Sequence, residues 1–72
     1  MTMETDLIMA ERYQAEAERI EADIRETEKQ FATHSMESQK DIDWVLGEKR
    51  TAVRALLGVA DWYRKRAERE VA

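Results

Sequence analysis

Apolar residues recur along the first half of the chain at alternating steps of three and four. The series consists of Ala10, Tyr13, Ala17, Ile20, Ile24, Thr27 and Phe31, and the positions between are nearly all Glu, Arg, Gln or Asp. This spacing is typical of an amphipathic helix with one narrow buried seam. Neither glycine nor proline interrupts the segment, so the pattern predicts one long helix over about residues 4–33.

The periodic pattern stops over residues 33–38, where residues that form helices poorly gather. Ser38 is followed three residues later by Asp41, which resembles a capping box with Asp in place of Glu. We therefore expect a turn near residues 33–38 and a second helix beginning at its end.

The second half has a broader apolar face with steps of three, four and seven. Its members are Ile42, Val45, Leu46, Ala52, Val53, Leu56, Val59, Ala60, Tyr63 and Ala67. The pattern predicts a helix over about residues 38–70. Gly47 costs up to about 1 kcal/mol relative to alanine inside a helix, and a break there into residues 38–46 and 48–70 stays open.

The two predicted helices fit together as an antiparallel hairpin forming a single domain over residues 1–72. Their apolar seams align when the numbers of facing residues add to about 73, which sets Ala10 against Tyr63 and Tyr13 against Ala60. Ile24 then faces Lys49, the one poor match. Charge favours the same arrangement, because residues 1–33 carry a net charge of −5 and residues 49–69 one of +5.

The composition leaves this hairpin short of a core. Leu, Ile, Val and Phe contribute 13 of 72 residues, and cysteine and proline are absent. Chains this small seldom fold alone without disulfides, metal or a partner. We therefore expect an all-α fold that dimerises into a four-helix bundle. No apolar run is long enough to span a membrane and the N-terminus is acidic, which predicts a cytoplasmic protein without membrane contact.

A second periodic face lies on the second helix. Steps of four and three connect Trp44, Glu48, Thr51, Ala55, Gly58 and Trp62. Small side chains let another helix approach closely, and tryptophan provides a large contact area. A two-fold axis near residue 53 sets Trp44 of one chain against Trp62 of the other. Two alternatives stay open: a foreign helix anchored by Trp44, Leu57 and Trp62, or tryptophans that merely edge the core.

Other features of the sequence add surface but no chemistry. Leu7 and Ile8 extend the apolar surface at the open end of the hairpin. His34 is the only histidine and falls in the predicted turn. No nucleophile-elbow or phosphate-loop pattern is present, and the inward positions carry no glutamate for a metal site. We therefore expect a non-enzymatic protein without cofactor or metal.

Basic residues on one side of the second helix raise the alternative of a small DNA-associated protein. They are Arg50, Arg54, Arg64 and Lys65. The net charge of −4 opposes binding to phosphates, so nucleic acid is not the expected partner.

The sequence therefore predicts a module that acts through contact with proteins: a homodimeric regulator or inhibitor that binds a larger protein, for example a phage or mobile-element accessory protein. A chaperone or scaffold subunit is the second hypothesis. An acidic first helix, a short turn and the run Ala52-Val53-Arg54-Ala55-Leu56-Leu57-Gly58-Val59 followed by Trp62-Tyr63-Arg64 give a layout that resembles the hairpin co-chaperones of type III secretion needle subunits. That resemblance implies a heteromeric chaperone complex.

Overall fold

Two long helices pack side by side and antiparallel in the computed structural model. The structure describes the backbone of residues 2–32 and 36–71 and the side chains of residues 2–32 and 40–70. Helix α1 spans Met3–Gln30 and helix α2 spans Met36–Val71, with no strand in these ranges. The molecule measures 54 × 15 × 14 Å. The predicted pair of antiparallel helices is confirmed.

The ends of α1 follow from local hydrogen bonding. Thr2 is the N-cap, and its Oγ1 accepts a hydrogen bond from the Thr5 N–H at 3.2 Å. The prediction that α1 reaches residue 33 was wrong, because the backbone of Phe31 leaves the helical region at φ −110° and ψ 12°. Its N–H still donates to the Thr27 carbonyl, so Phe31 closes the last turn.

Helix α2 begins earlier than its sequence pattern predicted. Residues 36–38 were assigned to the turn but are helical, and Ser38 lies inside α2 rather than at its start. The capping interpretation was therefore wrong. Residues 33–35, which include His34, lie outside the described residues.

Gly47 does not break α2. Leu46 beside it is buried against α1, and Lys49 and Arg50 on its other side form ion pairs with Asp23 and Glu28 of α1. These cross-helix contacts on both sides outweigh the cost of about 1 kcal/mol for glycine in a helix. The 36 residues of α2 therefore form one continuous helix.

The core is a single seam along the contact between the helices. Its buried apolar members are Ala10, Ala17, Ile24, Leu46, Val53, Ala60 and Ala67. Ile20, Ile42, Leu56 and Leu57 pack against the central part of the seam while staying partly exposed. Four of the seven buried side chains are alanines, so the seam contributes little apolar area for the length of the rod.

The cross-helix contacts lie at and above the predicted sum of about 73. The residue numbers add to 72 for Asp23–Lys49 and Asp6–Arg66, to 76 for the stacked rings of Tyr13 and Tyr63, and to 78 for Glu28–Arg50 and Gln14–Arg64. The position where Lys49 faces Ile24 is accommodated because the ammonium group turns outward to Asp23 and Ile24 stays buried. Such outward extension of a lysine lets its aliphatic stem cover the seam while its charge stays in water.

Candidate protein-binding face

The side of α2 turned away from α1 carries Trp44, Glu48, Thr51, Ala55, Gly58 and Trp62. All six are exposed. They lie about half a helical turn from the buried residues Leu46, Val53 and Ala60, so α1 cannot reach them. We call this surface the back face. The exposed fraction is 69% for Trp44 and 53% for Trp62, which means that neither tryptophan serves as part of the hairpin core.

The middle of the back face is open and low. A Cβ atom added at Gly58 would meet no heavy atom within 4 Å outside its own helix backbone. The Thr51 hydroxyl already donates to the Gly47 carbonyl at 3.0 Å, so its donor is satisfied within the helix. Thr51, Ala55 and Gly58 therefore form a shallow trough of small side chains between the two tryptophans, with the exposed Glu48 on the Trp44 side of it, and such a stretch suits the close approach of another helix.

The Trp62 end of the back face is held by its neighbours. The Arg66 guanidinium lies over the Trp62 ring, 5.3 Å from its centroid. Tyr63 meets Trp62 edge to face with centroids 4.9 Å apart, and Tyr63 stacks on Tyr13 of α1 at 5.9 Å. These contacts fix the ring of Trp62 relative to both helices.

A buried carboxylate stands behind this cluster. The Asp6 side chain is 0% exposed, and its Oδ2 lies 3.5 Å from Arg66 Nε. Neither carboxylate oxygen has a hydrogen-bond partner among the described residues. The sequence pattern did not identify Asp6 or Arg66 as part of a site. The available signal was an aspartate at a seam position of α1.

The remaining residues singled out from the sequence lie elsewhere. Leu57 packs against the core seam, which leaves only part of its side chain for a partner. Leu7 and Ile8 are exposed on α1, and Leu7 borders a shallow groove with Met3, Arg64 and Ala67. The apolar surface at the open end of the hairpin is thus separate from the back face.

The basic residues of α2 lie beside acids or amides. Arg50 pairs with Glu28 at 3.1 Å, Lys65 pairs with Asp61 at 2.9 Å, and Arg64 donates to the Gln14 side chain at 3.4 Å. Arg54 borders a groove with Glu21 and Arg25. Two of the four basic residues, Arg50 and Lys65, are therefore paired with carboxylates, which weakens their attraction for a phosphate backbone.

The described side chains include no group of three His, Cys, Asp or Glu residues arranged to hold a metal ion. Within the described ranges, neither helix is long and apolar enough to cross a membrane. No family model, curated protein or solved structure matches the chain.

Proposed function

We propose that this protein is a non-enzymatic interaction module that forms a homodimer through the back face of α2, and that the dimer regulates or inhibits a larger protein by binding it. One observation carries the proposal: the small residues Thr51, Ala55 and Gly58 lie uncovered between two exposed tryptophans, Trp44 and Trp62, and Glu48 is the one charged residue among them. Tryptophan at the centre of protein interfaces often supplies much of the binding energy.

The distribution of apolar residues around α2 favours burial of more than one side of this helix. Residues 51–60 contain a single charged residue, Arg54, although α1 covers only one side of this segment. Helices that are apolar around most of their circumference are normally buried on most sides. The outer side of α1 is different, since Glu11, Glu18, Arg19 and Glu26 are exposed on it. Beyond Met3, Leu7 and Ile8 at the start of α1, the large exposed apolar side chains of the described residues thus lie on α2.

Sedimentation equilibrium of two matched variants tests the dimer. Ala55→Glu places a carboxylate in the middle of the back face, and Ala22→Glu places the same group on an exposed position of α1. A charge buried in an interface without a partner is costly, so we expect Ala55→Glu to raise the dissociation constant of the dimer at least about tenfold. Ala22→Glu should leave it unchanged. A monomeric wild-type protein, or equal effects of the two changes, would contradict the proposal.

The second part of the proposal, a larger binding partner, needs its own measurement. Affinity capture from the native host is carried out with three proteins. The wild type forms the proposed dimer, Ala55→Glu carries a charge in the back face, and Trp44→Ala lacks one of the two large aromatic side chains. We expect one protein to be retained by the wild type and lost with Ala55→Glu, because the regulator acts as a dimer. Capture that is the same for all three would exclude any role of the back face in the regulation.

A chaperone or scaffold subunit is the second candidate, and the alanine-rich seam favours it. Four alanines among the seven buried apolar side chains of the described residues leave the hairpin dependent on a partner for burial. In this case a foreign helix occupies the back face. The two candidates differ in the isolated protein: the regulator is a helical dimer, whereas the chaperone subunit is a monomer with reduced helix content by circular dichroism.

A further inference from the structure

The two ends of the back face are built differently. Trp62 is fixed by Arg66 over its ring and by Tyr63 at its edge. Trp44 is more exposed, and the structure shows no aromatic or cationic group against its ring among the described residues. The Trp62 ring therefore has a fixed orientation, and the Trp44 ring has space around it to pack against another aromatic ring.

The position of the two rings along α2 is symmetric. Trp44 and Trp62 each lie nine residues from Val53, and a rise of about 1.5 Å per residue separates them by about 27 Å. When a second α2 packs antiparallel across the same midpoint, each Trp44 meets the Trp62 of the other chain. Thr51 then lies opposite Ala55 and Glu48 opposite Gly58, so that small side chains occupy most of the middle of the contact and the glutamate faces a glycine.

Charge along α2 selects the antiparallel direction. Residues 37–48 contain four acids and one base, whereas residues 58–69, which lie opposite them in an antiparallel pair centred on residue 53, contain four bases and two acids. Antiparallel packing brings the acidic segment of one copy beside the basic segment of the other, while parallel packing juxtaposes like charges. Complementary potentials of this kind fix orientation and register more than they add affinity.

We infer that the partner on the back face is a second copy of this chain, packed antiparallel, with Trp44 of the second copy on the open side of the Trp62 ring. This inference rests on the proposed homodimer and specifies its geometry. The Trp62–Arg66 pair forms the receiving surface, and Trp44 forms the inserted group. The two-fold axis produces this contact twice, once at each end of the trough.

Isotope-filtered nuclear Overhauser spectroscopy on a mixture of labelled and unlabelled wild-type protein tests the contact directly. Within one chain the two indole rings are about 27 Å apart, so any cross-peak between Trp44 and Trp62 must join two copies. We expect that cross-peak and none between the two Trp44 rings. A dimer that shows Trp44–Trp44 contacts instead would overturn the antiparallel geometry and leave the homodimer standing.

Disulfide trapping provides a second test, since the natural chain has no cysteine. The Thr51→Cys and Ala55→Cys variants are mixed in equal amounts and oxidised. Antiparallel packing brings residue 51 opposite residue 55, within the short Cα separation that a disulfide needs, so we expect the mixed disulfide to exceed either homodisulfide about fivefold or more. Predominant homodisulfides would indicate a parallel dimer. If no intermolecular disulfide forms and the protein sediments as a monomer, both the geometry and the homodimer are overturned.

Discussion

Among the described residues, Asp6 is the one buried side chain that is charged and not apolar. Carboxylates are almost never fully buried unless they are paired. Asp6 is buried, and the cation nearest to it is Arg66, which is itself partly exposed. Asp6 lies four residues before Ala10, so the steps of three and four place it on the seam of α1. Its burial could not be predicted in this way, because the compensating residue is separated from it by most of the chain.

The Asp6–Arg66 pair leads to a prediction at the residue scale. Arg66→Ala leaves the buried carboxylate without its nearest cation, and we expect the free energy of unfolding to fall by about 1–3 kcal/mol. In the Asp6→Ala background the same change should cost less than about 1 kcal/mol, the remainder reflecting the lost contact with Trp62. Urea unfolding of the four members of this double-mutant cycle measures the difference. Equal costs in the two backgrounds would show that Arg66 does not stabilise through Asp6.

Whole helices were easier to predict than their ends. The steps of three and four in α1 and the broader face of α2 predicted both elements and their antiparallel packing, because the buried stripe has to face the other helix. The ends depend on a few hydrogen bonds. Phe31 and Ala32 continue the apolar and helix-forming pattern of α1, yet the chain leaves the helix at Phe31. The Ser38–Asp41 spacing imitates a cap inside a helix that has already begun.

Gly47 gives the prediction at the element scale. A methyl group at this position meets nothing within 4 Å outside the helix backbone, and the backbone is already helical. Gly47→Ala should therefore raise the free energy of unfolding by about 0.5–1 kcal/mol, through helix propensity and a less flexible unfolded chain. Chemical denaturation followed by circular dichroism measures this gain. A loss of stability would mean that residue 47 needs a conformation other than the helix.

At the scale of the molecule, the hairpin exposes more surface than a compact protein of its size. Its radius of gyration is 16.4 Å, whereas a compact domain of this length has one of about 11 Å. Its accessible surface is 5552 Å², against about 4,650 Å² for a compact monomer of this mass. The excess of about 900 Å² is close to the area of about 800 Å² that each partner buries in a standard interface. The back face supplies apolar surface for such an interface. It stays uncovered in the hairpin because α1 packs against only one side of α2.

If association supplies the missing burial, the thermal stability of the whole molecule must depend on its concentration. Mass action stabilises a dimer that dissociates on unfolding, so we expect the melting temperature to rise by about 5–10 °C when the protein concentration increases a hundredfold. Ala55→Glu, which blocks the back face, should melt at the same temperature at both concentrations, while Ala22→Glu should follow the wild type. Circular dichroism melts at the two concentrations in cells of different path length measure all three proteins. A wild-type melting temperature that does not change with concentration would mean that the seam of α1 and α2 alone sustains the fold, and that the back face contributes nothing to its stability.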